Sequence, residues 1–337
     1  MNRGQILLII ALLCMNKIDP LFSSSSCNIS ADRQEGIPEV FLRNSLKGTP
    51  EIGQKLISFS NNNFVVREPL TGDRWVLREP HEVSNLLSDR RQEREVLEWA
   101  HRERISLLEI KDYDPEKGYL LTRFLFGQAS SASDFQDMAK LQDALKLLSR
   151  LHCSKTVPIS AKFQALNRFL MTSRLAANSG LSLPKEVHKV ADQLKQLLSQ
   201  IPISCFRSVP CHNDPSPENF FSQEGSLYLH DWELAGLNDP MWDLTHLSVI
   251  AQVDPEKILS FYQTSDPLAL EKMTFFRPFI FFNTVVWASL ERQQPFSSLP
   301  QQTIEILYQT FIEKIADSIK SSSFQASLQS LIQGGRL

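Results

Sequence analysis

The chain has 337 residues, 42% hydrophobic and 22% charged, and its 35 basic and 38 acidic side chains leave a formal charge of −3. That is apolar mass for one large domain or two lobes sharing a cleft, and the balanced charge excludes a wholly disordered chain and a dominant nucleic-acid footprint. Twelve Gly and 18 Pro exclude collagen-like architecture. Five scattered cysteines (Cys14, Cys27, Cys153, Cys205, Cys211) form no Cys-x-x-Cys pair, which fits a reducing compartment better than a disulfide scaffold or a zinc ribbon.

A basic start, Met1 to Gln5, precedes ten apolar residues from Ile6 to Met15. The run is shorter than the roughly 20 residues a bilayer span needs, and no small-residue cleavage site follows it. It reads as an apolar tail, as an early start with Met15 the true one, or as an export or anchoring signal. Residues 1–48 are therefore set apart as a loosely ordered leader. From Ile57 the pattern is strand-like: Phe64 to Arg67 and Arg74 to Arg78 flank the turn Thr71-Gly72-Asp73. Ser84 is placed to cap a helix running to about Arg104, with Leu86, Leu87, Arg90, Glu93, Leu97 and Ala100 at helical spacing. Two more strands are expected, Ser106 to Ile110 and Gly118 to Leu125, around a turn at Asp112 to Lys117. Gly127 and the polar Ser130 to Ser133 read as a hinge. Beyond it the spacing predicts helices over Phe135 to His152, Ala161 to Ala176 and Pro184 to Gln200. The division is a first lobe over 49–127, a second over 128–320 and a tail over 321–337, with a cleft between the lobes.

The densest polar cluster is Pro210-Cys211-His212-Asn213-Asp214-Pro215-Ser216-Pro217-Glu218-Asn219-Phe220-Phe221, followed by the strand Leu227 to Leu229 and then His230-Asp231-Trp232-Glu233. Pro215 and Pro217 forbid a continuous helix, so His212 to Asn219 is a shaped loop. That loop and the following hairpin bring Asp214, Asn219 and Asp231 together as oxygen donors. Such donors suit Mg²⁺ shared with phosphates, and a remaining carboxylate can take the proton of a substrate hydroxyl, as phosphoryl transfer requires.

His212-x-Asp214-x-x-x-x-Asn219 followed by Asp231-Trp232-Glu233 resembles the motifs of the aminoglycoside phosphotransferase and choline kinase superfamily. The extension through Gly236-Leu237-Asn238-Asp239-Pro240-Met241-Trp242-Asp243-Leu244 looks especially like bacterial choline kinases. Upstream, Ser58 to Phe64 is similar to the turn that covers the nucleotide in that family, with Ser58 in place of a glycine. Val76-Leu77-Arg78 and Asp89 to Glu93 resemble the strand and helix that carry its phosphate-contacting cation and that cation's partner. The resemblance covers about residues 50–295. It implies an α+β, two-lobed protein-kinase-like fold with a small β-rich N-lobe and a larger helical C-lobe, using ATP and Mg²⁺. It also implies Asp214 as catalytic base, Asn219 and Asp231 as metal ligands, and Ser60, Asn61, Asn63, Arg78 and Glu93 as the nucleotide side. His212 is expected to organise the loop, Asp243 to stabilise it, and His152 to be a packing histidine.

The expected acceptor is a small cationic alcohol, choline. A quaternary ammonium is best held over aromatic faces, and the acids between Gly236 and Arg292 are too dispersed for a polycation. Glu233, Trp242 and Trp287 are the candidate substrate residues, and Phe275 to Trp287 reads first as a buried helix. Ethanolamine, thiamine or an aminoglycoside on the same fold, or a degenerate kinase-like binding module, are the alternatives. A cytoplasmic location is expected, without nucleic-acid partners and with membrane contact only through the apolar leader; no oligomeric state is implied.

Overall fold

The computed structural model describes residues 38–56, 61–80, 88–159, 183–293 and 300–334. Most of the leader, Ser58 and Ser60 of the expected nucleotide turn, the Ser84 cap and the expected helix Ala161 to Ala176 lie outside the described residues.

The N-lobe is a five-stranded antiparallel sheet in the order β1-β2-β3-β5-β4, made of β1 (Glu51–Leu56), β2 (Asn61–Arg67), β3 (Arg74–Pro80), β4 (Ile110–Asp114) and β5 (Tyr119–Arg123). Phe64 and Val66 of β2, Trp75 and Leu77 of β3 and Leu121 of β5 alternate onto one face and form a small core. Leu42, from a short helix α1 (Glu39–Ser45), and Leu46, just past its end, complete that core at 1% and 5% exposure, inside the stretch expected to be a loose leader. The leader reading is thus corrected for residues 38–48. Their two leucines fill the sheet's open face, Ser45 Oγ donates to Asp112 at 2.5 Å, and the Lys47 amide donates to the buried carboxylate of Glu68 at 2.7 Å.

The helix α2 (Arg90–Arg102) starts at Asp89, whose side chain accepts from the Gln92 amide. It ends where Ile105 and Ser106 both donate back to Ala100 O, with Arg104 in the left-handed region at φ 56°. That wrap occupies the residues expected to begin a strand, so β4 starts only at Ile110 and the turn moves to Pro115 to Gly118. At the hinge, Gly127 lies so close to β8 that a Cβ would stand 2.4 Å from the Phe221 ring and from Ser222 O. No larger residue fits between β6 (Gln128–Ala129) and its partner β8 (Phe220–Gln223).

The C-lobe is helical: α3 (Met138–Cys153), α4 (Lys185–Leu198), α5 (Pro240–Ala251), α6 (Pro255–Tyr262), α7 (Ala269–Glu291), α8 (Gln301–Lys320) and α9 (Ser322–Gly334). The helix α7 is long and apolar enough to cross a membrane, but Phe275, Phe276, Phe279, Phe281 and Phe282 are all buried among its neighbours, and it is the central core helix of this lobe. The stretch expected to be a tail is α9. Its Phe324, Leu328 and Leu331 are buried, Phe324 stacks on Phe275 at 5.8 Å, and Leu331 O accepts from the Cys205 thiol.

Candidate active site

The polar loop leaves β7 (Val209–Cys211), turns through a short 3-10 segment at Pro217–Asn219, and returns along the hairpin of β8 and β9 (Ser226–Leu229). The hairpin register sets Asn219 beside His230, with the His230 amide donating to Asn219 O at 2.8 Å, so Asp231 arrives next to Asn219. Asn219 Nδ2 donates to Asp214 O at 2.8 Å. With its nitrogen so occupied, the amide presents its oxygen as the ligating end. Asp231 and Asn213 are held in the left-handed region, at φ 60° and 68°. Strain of this kind in non-glycine residues persists only where the surroundings enforce it.

Around Asn213 the enforcement is explicit. The backbone amides of His212 and Asn213 donate to the two oxygens of Asp243, both at 2.8 Å. Asn213 Nδ2 donates to Leu234 O, its Oδ1 accepts from Asn238 Nδ2, and its backbone O accepts from Trp242 Nε1 at 3.3 Å. His212 Nε2 donates to His230 O at 2.7 Å, tying loop to hairpin, and its ring meets Trp232 edge-on. Burial lowers the His212 imidazole from its ordinary value despite nearby Asp243 and Asp214, so it stays neutral there. His152 does more than pack: its ring nitrogens reach Asp243 at 2.9 Å and the Tyr262 hydroxyl at 2.7 Å. His152, Cys211 and Asp243 could group around a metal by distance. Both Asp243 oxygens are already taken by backbone N–H groups, which makes the group a clamp for the loop.

A buried ion cluster joins the lobes. Glu93 of α2 accepts from Arg78 of β3 at 2.5 and 2.9 Å, from Arg90 at 2.9 Å and from the Tyr113 hydroxyl at 2.6 Å. Arg90 continues to Glu233 at 3.0 Å, and Gln92 Nε2 donates to Ala235 O, so α2 grips the segment that follows Asp231. Burial alone would raise the Glu93 carboxyl, but the two guanidiniums outweigh it and hold it down to about 2. Two arginines and two glutamates make this cluster neutral within itself.

Next to it the charge is not balanced. Burial pushes the Asp231 carboxyl well above its ordinary range, and Glu233 and Asp214 push it further, with Arg78 the opposing influence. Burial raises Glu218 to about 7, and the nearby charge of Asp214 adds to that rise. Buried carboxylates repelling one another around an amide oxygen form a donor set that a hard dication would satisfy, and Asn219 and Asp231 fit that role. Asp214 itself is 29% exposed and reachable, and its Oδ1 accepts from Ser216 Oγ at 2.9 Å and lies 3.0 Å from His246 Nε2. Neither Ser216 nor His246 was assigned a role from the sequence. Ser216 lies inside the motif, whereas His246, in an apolar helix, gives no spacing signal.

Other expected residues separate into groups. Asn61 is buried in β2, and Asn63 lies opposite Arg78 in the β2–β3 register. Glu233, expected at the substrate, is instead consumed by Arg90 in the ion cluster. Trp242, expected there too, is 1% exposed beneath the polar loop, where it lines a cavity of about 120 Å³ with Phe206, Arg207, Asn238, Asp239 and Phe276. Trp242 and His246 lie four residues apart on α5, about one helical turn. Trp287 is half-buried on α7.

Comparison with known proteins shows the family and the fold. The chain is 27% identical over 202 residues to protein LicA of Haemophilus influenzae, which covers 58% of this chain and 73% of that one. The structure of the choline kinase LicA from Streptococcus pneumoniae superposes with a TM-score of 0.64 at 20% identity, over 79% of this chain and 93% of that one. LicA in complex with AMP superposes at 0.68 with 19% identity, over 83% and 97%. The phosphotransferase enzyme family (APH) matches residues 54–267. With nearly two thirds of its length matched and the two-lobed kinase-like architecture in place, the chain belongs to the phosphotransferase enzyme family and is a small-molecule kinase.

Proposed function

We propose that the chain transfers the γ-phosphate of ATP, with Mg²⁺, to the hydroxyl of choline. The observation that carries this reading is the unbalanced acid at Asp214 and Asp231 beside the self-neutral Arg78–Glu93–Arg90–Glu233 cluster. One side is built for a metal and an alcohol, the other for holding an arginine in place. Asn219 and Asp231 would hold Mg²⁺, which when bound with the nucleotide neutralises charge on the phosphates. Arg78, kept in position by Glu93, meets phosphate oxygens as a permanent bidentate donor, with Asn61, Asn63 and Ser60 contributing from the N-lobe turn. Asp214 orients the acceptor hydroxyl and takes its proton as the oxygen attacks phosphorus.

The likeness to LicA and the name choline kinase borne by its pneumococcal namesake support choline as acceptor. A quaternary ammonium needs an aromatic face, and Trp287 is the half-buried ring for it; Trp242 and Glu233 are withdrawn from that role by their other contacts. ATP as donor places the reaction in the cytoplasm. The test is ATP turnover against choline, ethanolamine, thiamine and kanamycin. Turnover is expected with choline, and Asp214→Ala is expected to lower kcat by about 10²–10⁴-fold while nucleotide affinity stays near wild type. Nucleotide binding without turnover of any acceptor would replace this reading with a binding module, and full activity in Asp214→Ala would remove the base.

A further inference from the structure

We infer that His246 is a positioning residue for Asp214, fixing which carboxylate oxygen faces the acceptor. This rests on the proposed role of Asp214 as base. His246 Nε2 lies 3.0 Å from Asp214 Oδ1 and 3.0 Å from Ser216 Oγ, and Ser216 Oγ is itself 2.9 Å from Asp214 Oδ1. The three atoms form a closed triangle.

The proton positions follow from the chemistry of the groups. A carboxylate oxygen only accepts, so the short contact to Nε2 needs a proton on Nε2. Nδ1 is buried and has no hydrogen-bond partner among the described residues, so nothing holds a proton on that side of the ring. The ring is thus the Nε2–H tautomer, donating to Oδ1 and sharing its proton with the Ser216 oxygen, while the Ser216 hydroxyl donates to the same Oδ1. Two donors converging on Oδ1 stop the carboxylate from rotating and so fix the direction in which its other oxygen points.

The placement on α5 makes the clamp rigid. Asp243 and His246 are three residues apart, hence on neighbouring positions of one helical face. Asp243 fixes the backbone of His212 and Asn213, and His246 fixes the side chain of the next residue, Asp214. A single buried helix thereby sets both the path of the loop and the rotation of its carboxylate. A misplacement of about 1 Å at a reacting group costs on the order of 10²-fold in rate, which sets the scale of what the clamp protects.

The experiment uses the full chain with two variants. His246→Leu is expected to lower kcat about 10- to 100-fold with the KM for ATP within about twofold of wild type. His246→Gln, whose amide N–H can reach the same oxygen, is expected to recover most of that loss. Histidine-selective ¹⁵N labelling should show the His246 proton on Nε2 at neutral pH. Wild-type kcat in His246→Leu, equal losses in Leu and Gln variants, or a proton on Nδ1 would each overturn the inference. Asp214→Ala is assayed alongside. Activity retained there removes the base reading itself, whereas its loss beside an unaffected His246→Leu removes only the clamp. Should His246→Leu fail to fold, the Gln variant and the tautomer decide.

Discussion

The lobe junction and the polar loop after β7 are both held by buried carboxylates, but by opposite means. At the junction Glu93 is surrounded by cations and a phenol, and each bond it makes is to a side chain, from Arg78 and Tyr113 on the sheet and from Arg90 one turn earlier on its own helix. In the loop Asp243 is surrounded by backbone N–H groups and a histidine, and it holds the chain itself. Ion pairs have a large desolvation cost that excellent geometry must offset, whereas amide N–H groups would be unsatisfied donors without their acceptor. The junction shares its cations within a neutral set, with Arg90 Nη1 bridging Glu93 at 2.9 Å and Glu233 at 3.0 Å.

This contrast can be broken with the largest effect on rate at Asp243. In Asp243→Ala the His212 and Asn213 amides and the His152 ring lose their acceptor together. The expected loss is about 2–4 kcal/mol of stability, from donors left buried and unpaired. With Asn213 no longer held at positive φ, kcat should fall by about 10²-fold or more. Urea denaturation and steady-state kinetics on the same preparation check both. A variant with near-normal kcat would show that the left-handed backbone at Asn213 is kept by Asn238 and Leu234 alone.

Glu93→Gln is the matching change at the junction. It keeps the shape but leaves Arg78 and Arg90 buried with Glu233 as the remaining carboxylate of the cluster. Removing one partner of a buried ion set typically costs about 3–5 kcal/mol. Unlike the Asp243 change it leaves the loop backbone bonded, so the larger share of its kinetic effect should fall on the KM for ATP, through Arg78. Equal effects on KM for ATP and for the acceptor would erase the distinction between the two regions.

Much of the loop was legible because its chemistry is local. Two prolines, a hairpin and the spacing of Asp214, Asn219 and Asp231 restrict the chain so strongly that few arrangements remain. What was hidden depends on distance in sequence. Glu233 looked like a substrate residue because it follows the metal loop, and its true partner Arg90 lies 143 residues earlier. Trp242 looked available as an aromatic face, but an indole N–H near an unsatisfied carbonyl is drawn under the loop, to Asn213 O. His246 sits in a helix that is apolar on nearly every side, so no periodicity separates it from a packing residue. The missed helix α9 is a different case. Phe324, Leu328 and Leu331 recur at helical spacing in a Ser- and Gln-rich stretch, a readable signal masked by polar composition. In α1 Leu42 is the lone buried residue of the helix, and Leu46 follows its end in extended backbone, too short a pattern for periodicity to reveal.

The smallest and most specific expectation concerns acid. The Glu93 carboxyl is held at about 2 in the folded chain against an ordinary value of 4.5. Above pH 4.5 it is ionised whether the chain is folded or not, and the ion cluster contributes its full stability. As pH falls below 4.5 the unfolded chain takes up a proton that the folded chain refuses until about pH 2, so stability falls along with pH over that window. One proton changes the free energy by about 1.4 kcal/mol per pH unit once well below 4.5, and by about 1 kcal/mol at pH 4. Other carboxylates titrate in the same range, and Glu218, raised by burial, acts in the opposite direction. The useful quantity is therefore the stability of wild type minus that of Glu93→Gln, in which the contributions of carboxylates remote from Glu93 cancel. That difference should be flat from pH 7 to 5 and shrink by about 1 kcal/mol at pH 4. A difference that stays flat to pH 4 would mean that Glu93 is no more acidic in the folded chain than in the unfolded one, and that the junction is held by shape and not by charge.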